Sequence, residues 1–130
     1  MAHYVDTSAL VKLVLDEAET PALAAWVGRE AELLVTSALS RTELIRAVRR
    51  AAPARLAEAI SLLGSLGLSR ISGAVLDRAG VLDPPALRSL DALHLASALE
   101  LGDELTSVVT YDERLAAAAT ARGIAVTRPA

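Results

Sequence analysis

Five short apolar runs recur along this chain, and the first four are each followed by a longer segment with helical spacing. His3–Val5, Leu33–Thr36, Leu68–Ile71, Ser107–Thr110 and Ile124–Thr127 read as strands. Helical patterns run from Thr7 or Ser8 to about Ala18, from Thr20 through Val27, and over Ser37–Ala52, Ala54–Leu66, Ser72–Leu82, Ser89–Leu101 and Asp112–Arg122. Thr20 is expected as an N-cap, with Pro21 at the first helical position, and Gly102 just past a helix end. Strands joined through helices pair in parallel, because the crossover is right-handed and lays each helix on a face of the sheet. The expectation is one α/β domain spanning 1–130, a three-layer α/β/α arrangement with a central, mainly parallel five-stranded sheet. Its ligand site belongs beyond the carboxyl ends of the strands.

Composition narrows the chemistry. There is no cysteine, which removes disulfides, thiolate metal sites and cysteine nucleophiles. Two histidines, His3 and His94, cannot supply a histidine-rich metal centre. A metal site must rest on carboxylates, which suit hard cations such as Mg²⁺ or Mn²⁺. The only aromatic residues are Tyr4, Trp26 and Tyr111, so Leu, Val, Ile and Ala fill the core and few rings are left to stack on bases. Asp6, Lys12, Asp16 and Glu17 interrupt the first apolar stretch, and no signal peptide or membrane span is legible; a cytoplasmic protein is expected. The net charge of −3 argues against a surface that grips nucleic acid all over, but not against a local basic face.

Four acids fall at one edge of the expected sheet. Asp6 ends the first strand, Asp112 follows the fourth, and Asp91 lies in the first turn of the Ser89 helix. Glu43 lies about two turns into the helix after the second strand. Taken singly, Asp112 and Asp91 also read as helix-capping or helix-dipole residues. Gathered together, like charges repel and raise each other's pKa, and a divalent cation is the natural counter-ion where no lysine faces them. A receiver domain would need an acid pair after the first strand and a lysine after the last, yet the only lysine is Lys12. A haloacid-type phosphatase would need a second Asp at position 8, which is Ser. No strand is followed by a glycine-rich phosphate loop.

Tyr4-Val5-Asp6-Thr7-Ser8-Ala9-Leu10, Ser40-Arg41-Thr42-Glu43-Leu44, Leu90-Asp91-Ala92-Leu93-His94-Leu95-Ala96 and Val109-Thr110-Tyr111-Asp112-Glu113-Arg114-Leu115 together resemble the PIN-domain ribonucleases, and among them the VapC toxins of VapBC toxin–antitoxin modules. Four motifs in register over the whole chain carry the resemblance. It implies a Mg²⁺- or Mn²⁺-dependent endoribonuclease that hydrolyses tRNA or rRNA and restrains growth until a VapB-type antitoxin neutralises it. It implies Asp6, Glu43, Asp91 and Asp112 as catalytic metal ligands, with Thr7, Ser8 and Thr110 as hydroxyls bonding the carboxylates or bound water. It also implies a homodimer. The alternative is a fold kept as an interaction module, or an RNA-processing nuclease that is not a toxin.

Other residues carry two readings. Residues 41–55 hold net charge +4 through Arg41, Arg46, Arg49, Arg50 and Arg55 against Glu43. Arg41, Arg46, Arg49 and Arg50 form either a contact for RNA or antitoxin or a solvated helix face, and Arg41 is the one expected nearest the acids. His94, three residues after Asp91 among apolar neighbours, reads as a packed or hydrogen-bonded histidine rather than a ligand. Leu10, Val14, Leu23, Trp26 and Val27 read as core, with Trp26 a candidate to lie under an antitoxin helix. Leu62, Leu63 and Leu66 carry the same two readings.

Overall fold

In the computed structural model, which describes residues 1–130, five strands form one sheet. They are β1 (Ala2–Val5), β2 (Leu33–Ser37), β3 (Gly67–Ser69), β4 (Leu105–Val109) and β5 (Val126–Thr127), in the order β3-β2-β1-β4-β5. Every neighbouring pair is parallel, so the sheet is parallel throughout rather than mainly so. The edge strands β3 and β5 are also the shortest, which leaves little exposed backbone for unwanted pairing.

Seven helices cover both faces: α1 (Thr7–Val14), α2 (Thr20–Arg29), α3 (Ala38–Ala51), α4 (Leu56–Gly64), α5 (Gly73–Gly80), α6 (Ser89–Leu99) and α7 (Glu113–Ala121). Strand alternation sorts the core into two halves. Val5 and Val109 point into a cluster with Leu10, Val14, Leu23, Leu44, Val48 and Leu63 from α1 to α4. Tyr4 and Val108 point the other way, into Val75, Leu95, Ala96, Leu115 and Ala119 from α5 to α7. With so few rings available, each fully buried leucine carries much of the stabilisation, at about 1.5–3 kcal/mol apiece. The helix α6 is buried almost all round, from Asp91 through Ala98. Its alanines and Ser97 let it lie close to the sheet.

Some boundaries differ from the sequence reading, and each difference has a tertiary cause. The helix α1 stops at Val14, not near Ala18. The Thr20 hydroxyl donates to the carbonyls of Lys12 and Leu15, and Arg55 donates to that of Val14, so the helix end is satisfied early. Thr20 therefore caps the end of α1 rather than the start of α2, whose N-cap is Glu19. The strand β3 begins at Gly67, where a Cβ would come within 3.2 Å of Val35. The helix α6 ends at Leu99, and Gly102, at φ +55°, opens a short 3₁₀ turn leading into β4.

Candidate active site

The strand order reverses at β1. The chain leaves β1 for β2 on one side and returns later to β4 on the other, which opens a crevice at their carboxyl ends. Asp6 lies directly after β1 and caps α1, with its Oδ1 accepting the Ala9 N–H at 3.1 Å. Asp112 caps α7, accepting the Leu115 N–H at 2.9 Å. Asp91 lies in the first turn of α6, and Glu43 in the second turn of α3. The capping reading holds for Asp112, and Asp6, rather than Thr7 or Ser8, caps α1.

Hydroxyls hold three of the acids, Ser8 and Thr110 at Asp6 and Asp112 and Thr7 at Glu43. Ser8 donates to Asp6 Oδ1 at 2.7 Å and accepts the Tyr111 N–H. Thr110, with no exposed surface, donates to Asp6 Oδ2 at 2.5 Å and accepts the Asp112 N–H at 3.0 Å. A backbone N–H can only donate, so each hydroxyl proton is left to point at the carboxylate. Thr7 donates to Glu43 Oε1 at 2.6 Å. Burial nevertheless pushes the Asp6 carboxyl above its ordinary pKa, against the opposing hydrogen bonds from Thr110 and Ser8. At Glu43 burial also pushes upward, but the hydrogen bonds from His94 and Thr7 outweigh it and hold that carboxyl below its usual range.

His94 bonds on both ring nitrogens, with Nδ1 at 2.7 Å from the Tyr4 hydroxyl and Nε2 at 2.6 Å from Glu43 Oε1. Burial holds the Tyr4 phenol in its protonated form, so it can donate to Nδ1 and leave Nε2–H to donate to Glu43. The hydrogen-bonded reading of His94 is thus what the structure shows, and its partner is one of the four acids.

Arg88 completes the cluster. Its Nε donates to Asp91 Oδ2 and its Nη2 to Asp112 Oδ2, each at 2.9 Å. These two carboxylates hold its pKa above the ordinary guanidinium value. Arg88 is the sole arginine paired with any of the four acids, and it also acts at a distance on Glu43. The sequence reading passed over it, although its position three residues before Asp91 was a usable signal.

The donor types suit a hard divalent cation, although no three of the four acids hold ligand oxygens within 4.8 Å of one another. Asp91 is buried, yet its Oδ1 accepts no hydrogen bond, and Glu43 Oε2 is likewise free. All four acids offer oxygen only, and one guanidinium does not balance four carboxylates.

The arginines of α3 pair with none of the four acids. Arg41, Arg46, Arg49 and Arg50 are exposed and make neither an ion pair nor a side-chain hydrogen bond. Arg41 instead lines a groove with Ile45, Ile60 and Leu68 between α3, α4 and β3. Arg55 has a structural task, bonding the Val14 carbonyl and pairing with Asp16. Trp26, half-buried, packs against the α1–α4 core and lines an apolar groove with Leu13, Val27, Leu62 and Leu66. No helix is long and apolar enough to cross a membrane.

The PIN domain family profile matches residues 3–121. Ribonuclease VapC35 of Mycobacterium tuberculosis is 46% identical over 129 residues, covering 97% of this chain and 96% of that protein. The fold resembles VapC20 of Mycobacterium tuberculosis, a sarcin–ricin-loop-cleaving toxin, with a TM-score of 0.77 at 19% identity over 98% of this chain and 99% of that one. It also resembles VapBC2 from Rickettsia felis bound to a promoter DNA fragment, with a TM-score of 0.73 at 13% identity and full coverage of both chains. With an all-parallel sheet, four acids gathered where its strand order reverses, and a family match over nearly its whole length, the chain belongs to the PIN-domain family and, within it, to the VapC ribonucleases.

Proposed function

We propose that this chain is the toxin of a VapBC module, a single PIN domain over 1–130 that cleaves tRNA or rRNA with Mg²⁺ or Mn²⁺ and slows translation and growth until a VapB-type antitoxin neutralises it. The observation that supports the reading is two adjoining networks at one edge of the sheet, Ser8, Thr110 and Arg88 joining Asp6, Asp91 and Asp112, and Thr7 with His94 holding Glu43. Asp6 and Asp91 are the principal ligands of the cation, with Glu43 and Asp112 holding it directly or through water. The ion would supply a bound water of lowered pKa and offset charge growing on the phosphate.

The chain's own residues do the rest. Thr110 and Ser8 oppose the rise that burial imposes on the Asp6 carboxyl, and Thr7 with His94 hold Glu43 through Oε1, leaving Oε2 without a hydrogen bond. Water adds to phosphorus as the P–O3′ bond breaks, leaving a 5′-phosphate and a 3′-hydroxyl. Asp91 and Asp112, which would hold the cation, now pair with Arg88, and that guanidinium would offer its charge to a phosphate once they are engaged. Arg41, Arg46, Arg49 and Arg50 supply charge for RNA or antitoxin. The apolar groove beside Trp26 takes an antitoxin helix, and the toxin works as a homodimer in the cytoplasm. The name VapC35, borne by a relative 46% identical, supports ribonuclease activity.

The test is cleavage of tRNA and rRNA by the purified chain. Mg²⁺ or Mn²⁺ should support cleavage, and EDTA, Asp6→Asn or Asp91→Asn should abolish it. Cleavage by the variants equal to the parent's would trace the activity to a contaminant and refute the assignment. Pulse expression should arrest growth, co-expression of the adjacent small gene should relieve the arrest, and mapping the new RNA 5′-ends identifies the substrate. Unimpeded growth with folded toxin present would remove the toxin role while leaving the nuclease.

A further inference from the structure

A second cluster of chemistry-bearing side chains lies at the opposite edge of the sheet, away from the four acids. His3 on β1 is 94% buried, and its ring packs edge-on against Trp26 at 4.9 Å. Its Nε2 lies 3.3 Å from Glu30 Oε2 and 3.2 Å from Glu32 Oε2, both in the connection between α2 and β2. Strand alternation puts His3 on the face opposite Asp6, at the other end of β1.

Nε2 stands at ion-pair distance from both carboxylates, longer than the 2.7 Å hydrogen bond between Nδ1 and the Ser107 hydroxyl. A charge-assisted N–H···O bond is shorter, at about 2.7–2.9 Å. One ring nitrogen also carries one proton, which cannot point at two oxygens. No lysine or arginine pairs with Glu30 or Glu32, so even an imidazolium would leave the cluster net negative. A buried ring nitrogen is therefore shared between two carboxylates that no lysine or arginine pairs with.

We propose that His3, Glu30 and Glu32 form a separate binding site for a borderline divalent transition-metal ion, with Zn²⁺ as its reference occupant. The ligand atoms already lie within 4.8 Å of one another. Three atoms about 2.1 Å from a tetrahedral centre sit about 3.4 Å apart, close to the two Nε2–oxygen separations found here. One imidazole and two carboxylates are a donor set such ions accept, and the partial exposure of both glutamates leaves room for a water in the fourth position.

The surroundings match those of a metal-bound histidine. Such a histidine donates its other ring N–H to a fixed acceptor, and here Ser107 takes that place, itself held by Thr127 at 2.7 Å. Thr106 on β4 donates to Glu32 Oε2 and orients that carboxylate. A bound ion would clamp the connection between α2 and β2 onto β1, beneath Trp26.

The test uses the full-length chain carrying Asp6→Asn and Asp91→Asn, so that the catalytic edge does not compete. Zn²⁺ titration by calorimetry should give one equivalent, and Co²⁺ should give the visible absorption of a nitrogen-ligated, low-coordinate site. Glu30→Gln with Glu32→Gln, or His3→Gln, should weaken Zn²⁺ binding by about 100-fold or more, and Ser107→Ala by about 10–100-fold. Glu30 and Glu32 are partly exposed, so the double glutamine variant reports even where His3→Gln fails to fold. The His3 ring nitrogen resonance should shift with Zn²⁺. Zn²⁺ affinity unchanged by Glu30→Gln/Glu32→Gln, or no Zn²⁺ binding at all, overturns the proposal and leaves a histidine–glutamate ion pair.

Discussion

Thr110→Val isolates the part the hydroxyl network plays. Valine keeps the branched shape and puts a methyl where the hydroxyl stood, in a site with no exposed surface, so the change falls on hydrogen bonding rather than on volume. Two bonds are lost: the hydrogen bond to Asp6 Oδ2, and the acceptor for the Asp112 N–H. A hydrogen bond to a charged acceptor contributes about 1.5–3 kcal/mol, and stranding a part-buried N–H costs about 1–3 kcal/mol where water cannot reach it. The expected loss, measured by urea unfolding in EDTA at neutral pH, is about 3–5 kcal/mol. Its pH dependence has a definite sign. The folded pKa of Asp6 already lies above its ordinary value of 3.8 because of burial, so stability falls as pH rises from there through the folded pKa. Thr110 is the strongest of the groups opposing that rise, so deleting its hydroxyl moves the folded pKa higher still. The gap between parent and variant should be smallest near pH 4, grow as pH rises, and then level off. The acid limb of the cleavage profile should move to higher pH in the same variant. A pH-independent gap, or one below about 0.5 kcal/mol, would refute the claim that the Thr110 hydroxyl opposes the rise of the Asp6 carboxyl.

Three further perturbations probe other parts of the site. His94→Ala leaves the buried Tyr4 hydroxyl without its His94 partner and Glu43 with Thr7 as its one donor; it should cost about 2–4 kcal/mol and weaken Mn²⁺ binding by about 10–100-fold, and full Mn²⁺ affinity in a folded variant would deny His94 a positioning role. Arg88→Gln removes the only guanidinium paired with the acids and should tighten Mn²⁺ binding in calorimetry, whereas weaker binding would mean that Arg88 pre-orients Asp91 and Asp112 rather than competing for them. Replacing Arg46, Arg49 and Arg50 together by Gln should lower the salt slope of RNA binding by about 2, since each phosphate contact on a single strand contributes about 0.7; an unchanged slope would make that face merely solvated.

The sheet and its helices were legible because their signals are local. Runs such as Leu33–Val35 and Val108–Val109, broken by helical spacing and punctuated by Pro53, Gly67 and Gly102, report periods that each short segment carries by itself. The edge at which Asp6 and Asp112 sit followed from the parallel topology, because strand ends and helix starts share a side. Boundaries slipped where a distant group intervened, as when Thr20 and Arg55 closed α1 at Val14. The ion pairing of the acids was similarly hidden. Arg88 stands three residues from Asp91, within reach of a helical reading, but its second partner Asp112 is 24 residues further along. His94 joins Tyr4 and Glu43 across separations of 90 and 51 residues. Composition and spacing therefore determined which elements form and which residue types could serve. Tertiary structure alone decided which hydroxyl faces which carboxylate and which cation stands among them, because hydrogen bonds and ion pairs act over a few ångströms and only the folded chain brings those atoms within range.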